Sequence, residues 1–295
     1  MDLPAAGERP AGGQRRGIAG PGSAAPAGIR RPAVAGVYYP DAPAALSEEI
    51  DRLCAGRKPS GSAIALVAPH GSYRHAGWVA AAAFADVVIP KRCVLIGPSH
   101  AGLPASWGIL AGGWCRTPLG DVPVDAELAA RLQARCPFLT ADPGWHRGEH
   151  ALEVHLPLLQ RLSSGPVSVT AIIMNNPDAG EAERLAEALA DVYDHDADAP
   201  LLVASTDLSH DETAARAEEL DRLLLERLEA LDGPGLIREA KERGIRSCGL
   251  AAAACVLEAA RRVGARGGIR IAYGTSADGG GDPASVTGYG AVVIR

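Results

Sequence analysis

Ala63-Ile64-Ala65-Leu66-Val67-Ala68-Pro69-His70 is an apolar run stopped by a proline and followed at once by a histidine. A continuous apolar segment of this length, closed by a turn signal, reads as a strand buried on both faces, as in parallel sheets covered by helices. The same ending recurs in Cys93-Val94-Leu95-Ile96-Gly97-Pro98-Ser99-His100. A third run, Leu201-Leu202-Val203-Ala204-Ser205, leads into Thr206-Asp207-Leu208-Ser209-His210. In a parallel α/β sheet the strand C-termini converge on one edge, and that crevice is where ligands bind. One histidine at a strand tip is ordinarily a turn cap on a wet surface. Three strands ending in His, His and Asp-x-x-His instead point to one site assembled from distant sequence, and to a metal site.

Around these strands the chain alternates. Helical patterns cover Ser47–Cys54 (with Ser47 as N-cap), Gly77–Asp86, Asp125–Cys136, Glu149–Leu162 (kinked at Pro157), Glu181–Tyr193, Glu212–Ala230 and Cys248–Val263. Strands are expected at 62–68, 92–97, 167–174, 201–205, 269–273 and 289–294. This alternation predicts an α/β fold, a three-layer sandwich with a central, mainly parallel (mixed) sheet flanked by helices. No repeat or linker divides it, so residues 30–295 are expected to form one domain. Met1 to about Ile29 is Ala, Gly, Pro and Arg with almost no large apolar residue, and is expected to be a disordered tail. Arg15-Arg16 lacks the apolar stretch that a twin-arginine export signal needs.

The 295 residues are 47% hydrophobic and 22% charged with a net charge of −6. That balance argues against a nucleic-acid surface. No apolar stretch reaches the roughly 18 residues of a membrane span. Cys54, Cys93, Cys115, Cys136, Cys248 and Cys255 contain no Cys-x-x-Cys pair. Sparse cysteines in so long a chain point to a reducing, cytoplasmic setting.

Beyond the strand tips, Glu149-His150-x-x-Glu153-x-His155 gathers four ionisable groups. On a helix His150 and Glu153 share a face and His155 points elsewhere. The alternative is a first-turn acid, Glu149, beside surface histidines. Cys248 in Ser247-Cys248-Gly249 stands at a helix start, where a lowered thiol pKa favours a ligand or nucleophile. A small residue at a tight turn is the competing explanation. Cys255 reads as a small buried apolar residue. The stretch Gly274–Asp282 is a loop over the same edge, with Thr275 and Ser276 as substrate or anion donors, or else an ordinary mobile surface loop.

Together these segments resemble the Memo-like family, whose bacterial and archaeal members are called AmmeMemoRadiSam system protein B. The match rests on Arg31-Pro32-Ala33-Val34-Ala35-Gly36-x-Tyr38-Tyr39, Ala68-Pro69-His70, Gly97-Pro98-Ser99-His100, Thr117-Pro118-Leu119-Gly120-Asp121 and Glu149-His150-x-x-Glu153-x-His155-Leu156-Pro157. It continues through Ser205-Thr206-Asp207-x-x-His210, Ser247-Cys248-Gly249 and Ser285-Val286-x-Gly288-Tyr289, in order, from Arg31 to the end. Gly71-Ser72 departs from it, where Ala-Gly is expected.

The resemblance implies a fold like that of the LigB-type class III extradiol dioxygenases, which hold a non-haem iron by two histidines and a carboxylate. On that pattern His70, His100 and Cys248 are the metal ligands, Cys248 standing at the carboxylate position. His210 with Asp207 would be the catalytic acid/base pair. His150, Glu153, His155, Tyr73, Thr275 and Ser276 would supply the surrounding wall or bind substrate. A thiolate shifts preference toward copper or zinc, so iron or copper is the expected metal, with zinc a further candidate. The implied role is a metal-binding redox function, with AMMECR-type and radical-SAM proteins as pathway partners. An iron-dependent dioxygenase or metal-assisted hydrolase, and a peptide- or anion-binding module needing no metal, are the rival readings.

Overall fold

The computed structural model describes residues 28–102 and 105–295. In chain order its elements are β1 (Ile29–Arg30), α1 (Pro43–Leu53), β2 (Ala65–Ala68), α2 (Gly77–Ala85), β3 (Arg92–Pro98), β4 (Trp107–Ile109), β5 (Trp114–Thr117), β6 (Gly120–Pro123), α3 (Ala126–Arg135) and β7 (Leu139–Thr140). There follow α4 (Leu156–Leu162), β8 (Ser168–Met174), α5 (Ala179–His195), β9 (Leu201–Ser205), β10 (His210–Glu212), α6 (Ala214–Glu229), α7 (Gly233–Arg243), α8 (Leu250–Arg262), β11 (Gly268–Thr275) and β12 (Val286–Ile294).

The large sheet runs β10-β12-β2-β9-β3-β8-β4-β7, with β11 on β12. Its centre, β2-β9-β3-β8, is parallel, while β12 lies antiparallel to β2 and β4 antiparallel to β8. The sheet is therefore mixed around a parallel heart. A small second sheet joins β1, β5 and β6.

Alternation along each central strand divides the core in two. Ala65, Val67, Val94, Ile96, Leu202 and Ala204 face Leu128, Leu189, Leu224, Leu236 and Val256 of α3, α5, α6, α7 and α8. Leu66, Ala68, Cys93, Leu95 and Val203 face Ile50, Phe84 and Leu159 of α1, α2 and α4. This is the expected three-layer arrangement, and it explains why the strands read as unbroken apolar runs: both faces are dry. Each buried Val or Leu contributes about 1.5–3 kcal/mol relative to exposure.

Several boundaries differ from expectation. Helix α1 begins at Pro43, whose ring pre-sets the first turn, and Ser47 bonds back to Pro43 O instead of capping. The long helix expected over 149–162 is a turn, a 3-10 segment at Glu153–His155, and α4 from Leu156. Pro157 sits in the first turn of α4, where its missing N–H costs nothing, so it starts a helix rather than kinking one. Helix α7 was not expected: Gly233-Pro234-Gly235 reads as a turn, but Asp232 caps it by accepting from Gly235 N. Strands β4, β5 and β6 were also unforeseen, being short and without strand periodicity. Of the tail expected over 1–29, residues 1–27 lie outside the described residues. Gly28 accepts from Trp114 N and Ile29 pairs with Trp114. No helix among the described residues is long and apolar enough to cross a membrane.

One glycine joins α8 to the sheet. Gly249 has φ +87°, and a Cβ on it would lie 2.4 Å from Ser205 O. Only glycine lets the start of α8 press against the last residue of β9, which is what brings Cys248 to the sheet edge. Gly264 has φ +93° but open space around it. Gly264→Ala is expected to cost about 1 kcal/mol from backbone strain alone, and Gly249→Ala about 2–4 kcal/mol from strain plus overlap. Denaturant unfolding of the two variants checks this, and equal costs would refute the packing argument.

Candidate metal centre

Because β2 and β9 are parallel with Ala68 opposite Ser205, the residues two positions beyond each strand meet. His70 N donates to Asp207 Oδ1 at 2.9 Å. His100 follows β3, the other neighbour of β9, and its ring lies 5.2 Å from that of His70. Cys248, delivered by the Gly249 approach, puts Sγ 3.2 Å from His70 Nε2 and 3.3 Å from His210 Nε2. His210 is held by β10 pairing with Thr287 of β12, and its Nδ1 lies 3.3 Å from Thr287 Oγ1. The four strand-tip residues and Cys248 thus share one crevice.

The ring nitrogens are assigned by their neighbours. Ser205 has one hydroxyl proton and donates it to Ala151 O at 2.6 Å. It must therefore accept from His70 Nδ1 and from His155 Nε2, each at 2.9 Å. The Nε2 lone pair of His70 is left facing Cys248 and Asp207. His100 is fixed in the same sense by Glu149, whose Oε1 accepts from His100 Nδ1 at 2.8 Å. Metal-binding histidines characteristically donate their other ring nitrogen to such a group.

Two overlapping sets of ligand atoms lie within 4.8 Å of one another: His70, His100 and His150, and His70, Asp207 and Cys248. The expected triad of His70, His100 and Cys248 is divided between them, with His70 common to both. His100 and His150 are stacked, centroids 4.4 Å apart and planes tilted by 21°. A bound ion lies in the plane of each imidazole that holds it, and two stacked planes do not meet at ligand distance. His150 therefore serves as a wall beside His100, with Tyr38 edge-on against it at 4.9 Å. The remaining donors, two imidazoles, a thiol and a carboxylate, suit zinc, copper or iron. The 3.2 Å and 3.9 Å separations of Cys248 Sγ and Asp207 Oδ2 from His70 Nε2 bracket the ~3.6 Å between ligands on a tetrahedral ion. The residues present fit a metal.

Charge is arranged asymmetrically. Burial pushes the Cys248 thiol up to about 12, and the Asp207 charge adds to it. This reverses the expected acidification: Cys248 precedes the N-cap, Gly249, and lies outside the turn where the helix dipole acts. Burial likewise holds His70 well below its ordinary value, with the neighbouring His100 acting in the same direction. Burial alone would raise Glu149, but hydrogen bonds from His100 and from Ala151 N bring it down to about 2. In turn the Glu149 hydrogen bond raises His100.

Other expected site residues lie behind the crevice. Glu153 accepts from Arg30, from Ala33 N and Val34 N, and from Tyr39 OH, so it fastens the N-terminal segment instead of facing a substrate. Tyr73 OH donates to Val154 O. His155 is fully buried and touches the centre only through Ser205. Thr275 and Ser276 belong to a 3-10 turn with a capping box, where Thr275 donates to Asp278 and Ser276 Oγ accepts from Thr287 N. The stretch expected as a loop is thus tied down. Ser205 and Thr287 were missed as site residues. The signal for Ser205 was its place as the last residue of β9, beside Thr206-Asp207.

A family model described as Memo-like protein matches residues 30–293. A MEMO1 family protein of Methanopyrus kandleri is 34% identical over 90% of this chain and 99% of its own. MEMO1 family proteins of Methanococcoides burtonii and Aquifex aeolicus are 34% and 33% identical, over 90% and 88% of this chain and 100% and 97% of theirs.

The Glu149 shift has a pH consequence. Its carboxyl titrates near 4.5 in an unfolded chain and near 2 when folded. As pH falls the unfolded state takes the proton first, so this stabilisation is full above 4.5 and lost toward 2. Urea unfolding of metal-free protein should show the advantage of wild type over Glu149→Gln shrinking between pH 5 and pH 2.5, by up to about 3 kcal/mol. An advantage that stays constant across that range would contradict the assignment.

Proposed function

The chain belongs to the Memo-like family, and from that premise and the crevice geometry we propose that it is a metal-binding redox protein. His70, His100 and Cys248 hold the ion, Asp207 lies within reach of it, and His210 with Asp207 handles protons. The observation that carries this reading is the pair of fixed tautomers. Ser205 occupies the Nδ1–H of His70, so its Nε2 lone pair faces the Cys248 thiol and the Asp207 carboxylate, and Glu149 occupies the Nδ1–H of His100, leaving Nε2 as that ring's free nitrogen. A pocket that recognised only a peptide or anion would have no need of lone pairs so directed.

Copper or iron is the preferred ion, since a thiolate beside imidazoles favours a soft or borderline metal; zinc has the same coordination preference without redox chemistry. When bound, copper or iron supplies one-electron transfer. The protein's own part is to hold the ligands, to accept the Cys248 proton on His210 at 3.3 Å, and to confine access to the strand-tip edge. All six cysteines are free thiols, which supports a reducing, cytoplasmic setting for that work.

Anaerobic titration with Fe(II) and with Cu(I) tests the reading. Wild type should bind one equivalent, and His70→Ala and Cys248→Ser should each lose stoichiometric binding with their circular dichroism unchanged. Binding by both variants that matches wild type would favour a metal-independent interaction module. A second expectation concerns reaction class. A thiolate in place of a hard carboxylate is itself oxidisable, so Fe(II)-loaded protein should not cleave simple catechols but should cycle its metal in the presence of thiols. Oxygen uptake with stoichiometric ring-opened product from protocatechuate would establish a dioxygenase instead.

A further inference from the structure

Asp221 is a carboxylate with no solvent exposure on the apolar face of α6, among Leu220, Leu224 and Leu225. An aliphatic side chain would pack there at no electrostatic cost, whereas a buried carboxylate must be compensated by hydrogen bonds. Its Oδ1 accepts from Ser209 N at 2.8 Å and its Oδ2 from Tyr273 OH at 3.0 Å. Neither partner carries a charge. Burial pushes the carboxyl up to about 6, and the bonds from Ser209 and Tyr273 keep it from rising further. Room for the group exists because position 288 is glycine: a Cβ there would lie 1.7 Å from Asp221 Oδ2.

Ser209 is the midpoint of the turn that supplies two members of the centre. On one side Asp207 accepts from His70 N, and on the other His210 Nε2 reaches Cys248 Sγ. The turn is tied to β12 by Leu208 N to Gly288 O and Gly288 N to Ser209 O, each 2.8 Å. Asp221 is the side-chain anchor on the Ser209 amide, and the next amide, His210 N, donates to Arg246 O at 2.8 Å. We propose that Asp221 is a positioning residue of the centre, a carboxylate outside the crevice that sets where Asp207 and His210 stand by holding Ser209 N. Removing it would leave the fold's layers intact and let the turn shift, displacing His210 from Cys248. The inference rests on the metal reading, and its test separates the two.

Cobalt(II) is the probe, because its thiolate charge-transfer band reports the geometry at Cys248. Asp221→Asn keeps an acceptor for Ser209 N and should match wild type in affinity and spectrum. Tyr273→Phe removes the other bond, which does not touch the turn, and should also match. Asp221→Leu removes the acceptor while keeping a γ-branched shape and should bind cobalt about tenfold or more weakly with a shifted band, its circular dichroism retained. Asp221→Ala removes the acceptor without added bulk and should reproduce the Leu phenotype; it decides the matter if Asp221→Leu does not fold. A wild-type-like band in a folded Asp221→Leu, or in Asp221→Ala where the Leu variant does not fold, overturns the inference. So does a shift in Tyr273→Phe as large as in Asp221→Leu, since the residue would then be only structural. Wild-type protein that binds no cobalt would remove the metal reading and this inference together. Cobalt binding identical in wild type and variants removes this inference alone.

Discussion

The centre depends on the single proton of the Ser205 hydroxyl. That proton goes to Ala151 O, and two imidazoles, His70 and His155, must then donate to the same oxygen. A hydroxyl so saturated cannot rotate to suit another tautomer, and the Nε2 lone pair of His70 is fixed in the crevice. Ser205 acts a second time through its backbone. It is the last residue of β9, and its carbonyl is the surface on which Gly249 rests, which sets the height of Cys248. One residue therefore aligns an imidazole and a thiol that stand 178 positions apart in the chain. This is the strand-tip logic of a parallel sheet carried one layer deeper: the strands bring the residues together, and the hydrogen bonds beneath decide which atoms face inward.

The electrostatics describe a centre poised to release a proton when loaded. Without an ion, burial keeps the thiol of Cys248 protonated and His70 neutral. The crevice then holds little positive charge on that side, whereas His100 is drawn toward its charged form by Glu149. A bound ion would add the largest local charge and invert this order, which would couple metal uptake to loss of the Cys248 proton. His210, partly exposed and 3.3 Å from the sulfur, is the nearest route out for that proton. The helix start that the sequence offered as the acidifying influence does not act here, because Cys248 lies outside the first turn.

The parallel heart of the sheet was legible because strands buried on both faces must be apolar throughout. Pro69 and Pro98 mark the turns that present His70 and His100, and Asp207 was read from its place just beyond a third apolar run that has no proline. Helix α7 and strands β4 to β6 were not legible, because Gly233-Pro234-Gly235 has turn chemistry and three- or four-residue strands carry too little period to see. At the site, the residues missed are those whose role is purely tertiary. The one local signal for Ser205 is its place beside Thr206-Asp207, which does not show that its hydroxyl meets His70 and His155, and Glu149 reads as a helix acid until its turn is seen folded against His100. Glu153 misled for the same reason. Its face on an imagined helix matched His150, but the segment is a 3-10 turn that sends it to Arg30 and the amides of Ala33 and Val34.

X-ray absorption of the protein loaded anaerobically with copper or iron tests the central claim most directly, since it reads the ligand atoms themselves. The account predicts one sulfur scatterer at about 2.3 Å and at least two imidazole nitrogens at about 2.0–2.1 Å, with the sulfur absent in Cys248→Ser. A wild-type first shell of nitrogen and oxygen alone would contradict it.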